Sequence, residues 1–254
     1  MSTAERAQIQ VVSRVARILQ LLSRRRELRV AEVASELGLQ RSTAHRYMVS
    51  LSTVGLLQRN EEETGYHAGP LLLQSSLNSL GRPRVLEIAG AYMHRLAEEA
   101  HETVVLSLWA GEGPVVARAE EDATRLVHVA VRVGSPLPLD SAQAQVFLAH
   151  LPDRALRERL LLQLPPLRRR EVQAQIEHVL QHGIAIDSRV IEGIRAVAAP
   201  VLDDRGAIAA TIAFVGTTSA IPEDRRSGLA RALVDVAQQL SGRLGYRPMA
   251  EVNA

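Results

Sequence analysis

Cysteine is absent from this 254-residue chain, which excludes disulfides, thiolate nucleophiles and cysteine-rich metal sites without assigning a compartment. Lysine is absent too: all 30 basic residues are arginine. No run of about 18 apolar residues is there to cross a bilayer as a helix. The opening MSTAERAQIQ lacks the apolar stretch of a signal peptide, so the expectation is a cytoplasmic protein with no membrane contact. Catalytic motifs are missing as well. There is no Gly-x-Ser-x-Gly elbow, phosphate loop or dinucleotide fingerprint, and His101-Glu102 is not followed by a histidine at metalloprotease spacing. His178 and His182 stand four apart in EHVLQH, a chelating spacing, but no third ligand accompanies them, and a solvated helix face accounts for them better. Nothing supports a catalytic residue, a metal or a cofactor. The single tryptophan, Trp109, precedes the Gly111 turn and reads as core or subunit contact before ligand platform.

What is present is an uneven charge. Residues 1–60 carry ten arginines against Glu5, Glu27, Glu32 and Glu36, whereas residues 61–254 carry twenty arginines against twenty-four acids. A local basic excess can neutralise phosphates, although solvated basic helices are also common. In VVSRVARILQLLSRR, Val11, Val15, Ile18, Leu19 and Leu22 recur at helical spacing. A second helix follows with Val30, Val33, Ala34 and Leu37 on one stripe, stopped by Gly38. After Leu39-Gln40 a third helix resumes, with Ala44, Tyr47, Met48 and Leu51 inward and Arg41, Ser42, His45, Arg46 and Val49 outward, ending at Gly55. GLLQRNEEETGYHAGP reads as two short strands, 56–60 and 65–68, around a polar tip. Three helices and a hairpin make a winged helix-turn-helix.

A largely helical stretch from Leu71 to about Glu99 is interrupted at LGRPR, where Gly81 and Pro83 mark a junction. Beyond it the texture is β-rich near 103–109, 114–119 and 125–133, then helical at 141–150, 153–162 and 168–182. Strands near 195–202 and 207–215 flank the turn Asp203-Asp204-Arg205-Gly206, and a closing helix runs from Pro222 to about Gly242. An antiparallel sheet with helices beside it is α+β and suits a small-molecule sensor.

A helix entering the major groove needs a bracing helix, a sharp turn between the two, and short polar side chains near its start. Residues 30–59 supply all three. Ser42 and Thr43 suit phosphates or base edges, His45 and Arg46 reach guanine N7 or O6, Arg41 favours a phosphate, and Arg59 is the wing residue suited to the backbone. The alternative, in which Ser42 and Thr43 only cap the helix and the arginines are only solvated, loses weight beside the glycine turn and the wing. Glu61, Glu62 and Glu63 at the wing tip would repel DNA.

The blocks SRVARILQLL, LGLQRSTAHRYMVSLSTVGLLQR, GYHAGP, HETVVLSLWAGEGPVVARAE, GSPLPLDSAQAQVFLAHLP, HGIAIDSRVIEGIRAVAAPVLDDRGAIAATIAFVG and LSGRLG, in this order, resemble the isocitrate lyase regulator (IclR) type of bacterial transcription factor. The resemblance implies a DNA-binding domain over 1–70, a linker helix over 71–90 and a GAF-like effector-binding domain over 91–254. It further implies double-stranded operator DNA and a small-molecule effector as partners, and a homodimer or dimer of dimers. The implied effector residues are Ser135, Asp140, Ser141, Ala142, Gln143, Asp187, Ala196, Ala213 and Val215. The family usually has His-Ala-Thr/Ser-x-x-Gly-Lys-Ala where this chain has LDSAQAQV, and small polar residues where it has Ala196, Ala213 and Val215. Asp140 as a helix cap would occupy the N–H groups that hold an anion, and a further carboxylate beside it would be repelled unless Arg132 or Arg195 turned inward to neutralise it. A neutral or weakly polar aromatic effector is therefore expected before a small dicarboxylate. An effector-blind regulator with a degenerate pocket, or a GAF-like enzyme or carrier, are the competing readings.

Overall fold

A computed structural model describes residues 3–25, 27–60, 64–72, 84–122, 124 and 128–247, and the chain divides into two compact units, Met1–Pro83 and Arg84–Ala254. In the first, α1 (Thr3–Arg24), α2 (Val30–Leu37) and α3 (Arg41–Thr53) precede a hairpin of β1 (Leu57–Arg59) and β2 (Tyr66–Ala68). Ile18, Leu28, Val33, Ala44, Met48, Leu51, Leu57 and Tyr66 form its core, each large apolar side chain contributing roughly 1.5–3 kcal/mol. Gly38 sits at φ 64° and ends α2, a conformation that costs a side-chain-bearing residue energy. The hairpin pairs Leu57 with Ala68 and Arg59 with Tyr66. Tyr66 also exchanges both backbone hydrogen bonds with Leu28, at 2.8 and 2.9 Å, tying the wing to the segment before α2. Of the expected linker helix over 71–90, residues 73–83 lie outside the described residues, as do the wing-tip acids 61–63, while residues 84–90 open the first helix of the second unit.

The second unit comprises α4 (Arg84–Ala100), β3 (Thr103–Trp109), β4 (Pro114–Glu120), α5 (Ala142–His150), α6 (Arg154–Leu161), α7 (Pro166–His182), β5 (Ala185–Asp187), β6 (Ile194–Leu202), β7 (Ile208–Thr217) and α8 (Gly228–Arg243). The five strands form one antiparallel sheet in the order β4-β3-β7-β6-β5. Because side chains alternate along a strand, Ile212 and Phe214 of β7 join Met93, Leu96, Leu233 and Leu240 of α4 and α8 on one face. Ala213 joins Val146, Leu148, Val172 and Val179 of α5 and α7 on the other. Ala142 to Ala149 are all buried, as befits a helix covered on every side. Gly206, at φ 73°, closes the β6–β7 turn, where Asp203 Oδ1 accepts from the N–H groups of Arg205 and Ala207 at 3.0 and 2.9 Å.

Two expectations are corrected here, and one element is new. Residues 128–133 of the expected third strand form no strand, and 125–127 lie outside the described residues. The closing helix begins at Gly228, not Pro222, because Ser227 caps it by accepting from the Ala230 N–H. Strand β5, only three residues long, was not anticipated.

Candidate functional site

On the first unit, α3 begins without a side-chain cap: Gln40 occupies the cap position and makes no such bond. Ser42 and Thr43 therefore do not cap the helix. Met48 and Leu51 hold one side of α3 in the core, leaving Arg41, Ser42, His45 and Arg46 along a surface groove of about 860 Å³. Arg29, Val30 and Ala31 at the start of α2 form one wall, and Arg59 and Thr64 of the hairpin form another. Among the described residues no carboxylate lines the groove, whereas four guanidinium groups do. The Arg59 guanidinium lies over the Tyr66 ring, 5.9 Å from its centroid, a cation–π contact that steadies the wing. Thr43 is turned toward α1, in a separate cleft with Val11, Val15 and Tyr47. Arg29 had escaped the sequence reading; its signal was its place at the end of the basic run RRRELR.

The wing is held from within. Asn60 Oδ1 accepts from the N–H groups of Thr64 and Gly65 at 2.9 and 3.1 Å, and its Nδ2 donates to Thr64 Oγ1 at 3.1 Å.

The second unit contains a cavity of about 490 Å³ between the sheet, the start of α5 and two loops. Asp187 of β5 lies opposite Ala196 of β6, and Ala196 opposite Val215 of β7, so the three stand in a row on one face. One residue pair further along that face, Ala185, Ala198 and Ala213 lie under α5 in the core. Their small side chains let the helix approach. Ser135, Ser141, Ala142, Gln143, Asp187, Ala196 and Val215 line the cavity, whereas Asp140 and Ala213 do not. Most of the remaining lining is apolar, including Val105, Val129, Val131, Leu137 and Ile194.

Residues 128–138 cross the cavity as a strap. Thr103 Oγ1 donates to the Val129 carbonyl at 2.7 Å, Gly134 N–H to Val116 O at 2.7 Å, and Leu137 N–H to Pro114 O at 2.8 Å. Pinned at these points, Val129 and Val131 line the cavity instead of extending a ladder, which is why the strand-like sequence forms none.

The expectation that Asp140 caps α5 is overturned. Ser141 is the cap, its hydroxyl accepting from the Ala144 N–H at 3.3 Å. Asp140 turns instead to Arg168 of α7, whose Nε donates to Oδ2 at 2.9 Å while Nη2 lies 2.8 Å from the same oxygen. Arg195 does not turn inward: its Nη1 donates to the carbonyls of Thr218 and Ile221 at 3.1 and 2.6 Å. Arg132 lines the cavity and is exposed.

The buried Asp187 carboxylate accepts from the Arg189 N–H at 2.8 Å, from Arg189 Nη2 at 2.9 Å and from Gln145 Nε2 at 3.3 Å. Gln143 is likewise engaged, with Oε1 accepting from the Ser107 hydroxyl at 2.7 Å and Nε2 donating to Val105 O at 3.2 Å. Burial works against the charge of Arg168, yet hydrogen bonds to Glu171 and Asp140 and the nearby Asp187 outweigh it, so its pKa is raised.

Trp109 donates Nε1–H to Gly111 O at 3.0 Å and tilts against Phe147, with 5.5 Å between centroids; it packs, partly buried, against the core beside α5. The rings of His178 and His182 are 5.7 Å apart, and Nδ1 of His182 donates to the His178 carbonyl at 3.0 Å. Among the described residues no three histidine or carboxylate groups gather as a metal site, and no helix is long and apolar enough to cross a membrane.

A winged helix-turn-helix with a basic groove, joined in one chain to an α+β domain with its own cavity, defines a DNA-binding regulator. The chain belongs to the IclR family of bacterial transcriptional regulators: residues 77–242 match the family model of the bacterial transcriptional regulator IclR C-terminal domain, and residues 11–61 match the IclR helix-turn-helix domain. It is similar to the HTH-type transcriptional regulator BhcR of Paracoccus denitrificans (strain Pd 1222), 27% identical over 246 residues that cover 92% of this chain and 86% of that protein. The crystal structure of Pseudomonas aeruginosa HmgR superposes with a TM-score of 0.59 at 29% identity, covering 95% and 99% of the two chains. An IclR homolog from Microbacterium hydrocarbonoxydans complexed with 4-hydroxybenzoate shares the fold, with a TM-score of 0.74 at 20% identity and coverage of 92% and 98%. BhcR is an HTH-type transcriptional regulator, both matching family models are of transcriptional regulators, and this chain is one, not an enzyme.

Proposed function

We propose that this chain controls transcription by binding a double-stranded operator through the α3 groove, with affinity modulated by a small aromatic or weakly polar molecule held in the cavity of the second unit. The cavity carries this reading. At about 490 Å³ it falls within the usual range of small-molecule sites, mostly apolar with a few polar groups. The row Asp187, Ala196 and Val215, with Ser135, Ser141, Ala142 and Gln143, is the proposed contact surface; Asp140 acts behind it and Ala213 supports it from the core. The homolog complexed with 4-hydroxybenzoate favours a ring-bearing ligand. Residues 1–70, 71–90 and 91–254 serve as DNA-binding domain, linker and effector domain, and the working form is a cytoplasmic homodimer or dimer of dimers.

On the DNA side, Arg46 and His45 read base edges, Ser42 supports them in the groove, and Arg41 and Arg59 hold phosphates, with Thr43 outside the groove in the cleft beside α1. A gel shift with the chain's own promoter region, run across a salt series with and without aromatic compounds that raise its melting temperature, tests the whole reading. Salt-sensitive, sequence-selective binding altered by such a compound is the expected result. Selective binding that no stabilising compound alters would leave an effector-blind regulator; no selective binding would remove the operator reading.

A further inference from the structure

Arg168 does not line the cavity, yet it sits directly behind its charged wall. Its side chain is 19% exposed; it engages Asp140 at 2.8 Å and Glu171 at 2.7 Å, and lies 3.9 Å from Asp187. Gln145, fully buried, bridges the same two aspartates, donating Nε2–H to the Asp140 carbonyl at 2.9 Å and to Asp187 Oδ2 at 3.3 Å. Asp140 adjoins Ser141, the cap of α5 and a cavity residue, and Asp187 itself lines the cavity. Asp187 thus stands beside a ligand in the cavity and Asp140 one residue behind the cavity wall, and of the two Arg189 pairs only with Asp187. Resting on the reading that this cavity holds the effector, we infer that Arg168 is a specificity-determining positioning residue: by neutralising Asp140 and Asp187 from behind, it lets the cavity admit a ring compound bearing one carboxylate as well as a neutral one.

The physical reason is that like charges at short range in a partly dry site repel strongly, while a largely shielded guanidinium paired with the carboxylates offsets their field. Arg168 suits this role better than a lysine would, because its planar fork spans Asp140 and Glu171 at once. Its effect on a ligand is one of charge, because it makes no contact with the cavity, and so it should separate ligands of equal shape and unequal charge.

The test uses the full chain and two probes that share a ring, 2-naphthoate and 2-naphthylmethanol, with affinities measured by calorimetry. The parent should bind both. Arg168→Gln should weaken naphthoate by about tenfold or more while changing naphthylmethanol by less than about twofold. Adding Asp140→Asn to Arg168→Gln should restore most of the naphthoate affinity, and Arg168→Lys, which keeps the charge, should hold it within about threefold of the parent. A purely structural role for Arg168 predicts equal losses for both probes and no rescue by Asp140→Asn; that outcome overturns the inference and leaves the cavity reading intact. A parent that binds naphthylmethanol alone also overturns it. A parent that binds neither probe removes the aromatic-ligand reading together with this one.

Discussion

Ser107 of β3 donates its hydroxyl to Oε1 of Gln143 on α5 at 2.7 Å, with both residues buried. Gln143 returns Nε2–H to Val105 O at 3.2 Å, so the floor of the cavity is stitched to the sheet through a single amide. A buried acceptor that loses its donor costs about 1–3 kcal/mol, whereas removing both partners together costs less. Ser107→Ala should lower stability by about that amount, and Ser107→Ala with Gln143→Leu should recover part of the loss. Urea unfolding of the three proteins measures this. A single variant as stable as the parent would show that the pair contributes nothing.

Two glycines of the first unit separate backbone conformation from close packing. Gly38 has φ 64°, and a methyl group there would meet nothing within 4 Å, so Gly38→Ala should cost only the left-handed conformation, about 1–2 kcal/mol. Gly69 lies against the carbonyl groups of Gly55 and Leu57, and its N–H donates to Leu56 O at 3.0 Å. An added Cβ would push the hairpin away from the end of α3. Gly69→Ala should destabilise the first unit more than Gly38→Ala and weaken operator binding as well. Thermal unfolding with gel shifts on both variants checks the order.

Local chemistry explains which parts of this structure were legible in the sequence. The helix-turn-helix was legible because Gly38, the apolar stripes and the outward polar residues of α3 lie within a short span and owe little to distant partners. The β6–β7 hairpin was legible for the same reason, through Asp203 and Gly206. Asp140 and Ser141 are both good capping types, and the choice between them was made by Arg168, far along the chain on another helix. Val129 and Val131 carry strand-forming side chains, but Thr103 and the edge of β4 hold that segment as a strap. Ala213 and Val215 share a strand face, and only the end of α5 decides that one is core and the other cavity wall.

Asp122 carries the acid-range prediction. The Thr124 N–H, the His101 ring at 2.6 Å and the Thr124 hydroxyl hold its carboxylate at a pKa of about 2, below the ordinary 3.8. A carboxyl with a depressed folded-state pKa stabilises the fold above its unfolded pKa, and that stabilisation is lost as the pH falls through the folded value. The stability difference between the parent and Asp122→Asn should be constant above about pH 4 and shrink toward pH 2. Urea midpoints across that range measure it; a difference unchanged down to pH 2 would remove Asp122 as the source.

Across the groove, Arg46→Ala and Arg29→Ala should fail differently. Arg46 projects from the exposed side of α3, and a base-edge contact is worth about 1–3 kcal/mol of discrimination. Its loss should relax sequence preference. Arg29 stands at the start of α2 on the groove wall, where a phosphate contact weakens all sequences alike and lowers the salt slope by about one. Arg41→Ala should resemble Arg29→Ala. Binding titrations against operator and scrambled DNA at several salt concentrations distinguish the two patterns, and an Arg46 variant with unchanged preference would misplace the reading helix.

The last prediction concerns assembly. One winged helix presents a few side chains to base edges, and a single module buries only about 600–1,000 Å² on DNA, too little for a unique site among many competitors. Specific binding by a groove of this size therefore calls for two copies reading two half-sites. Their centres should lie about 34–36 Å apart, one turn of the duplex, or a multiple of that distance. Footprinting should show paired protections, inverted if the copies are related by a two-fold axis and direct if they are not. Inserting five base pairs between the half-sites puts them on opposite faces of the duplex and should abolish tight binding, whereas inserting ten should restore part of it. Light scattering of the free protein and of the complex fixes the number of chains. Monomers in both states, with a footprint confined to one half-site and indifferent to the insertions, would reduce the chain to a single-site binder.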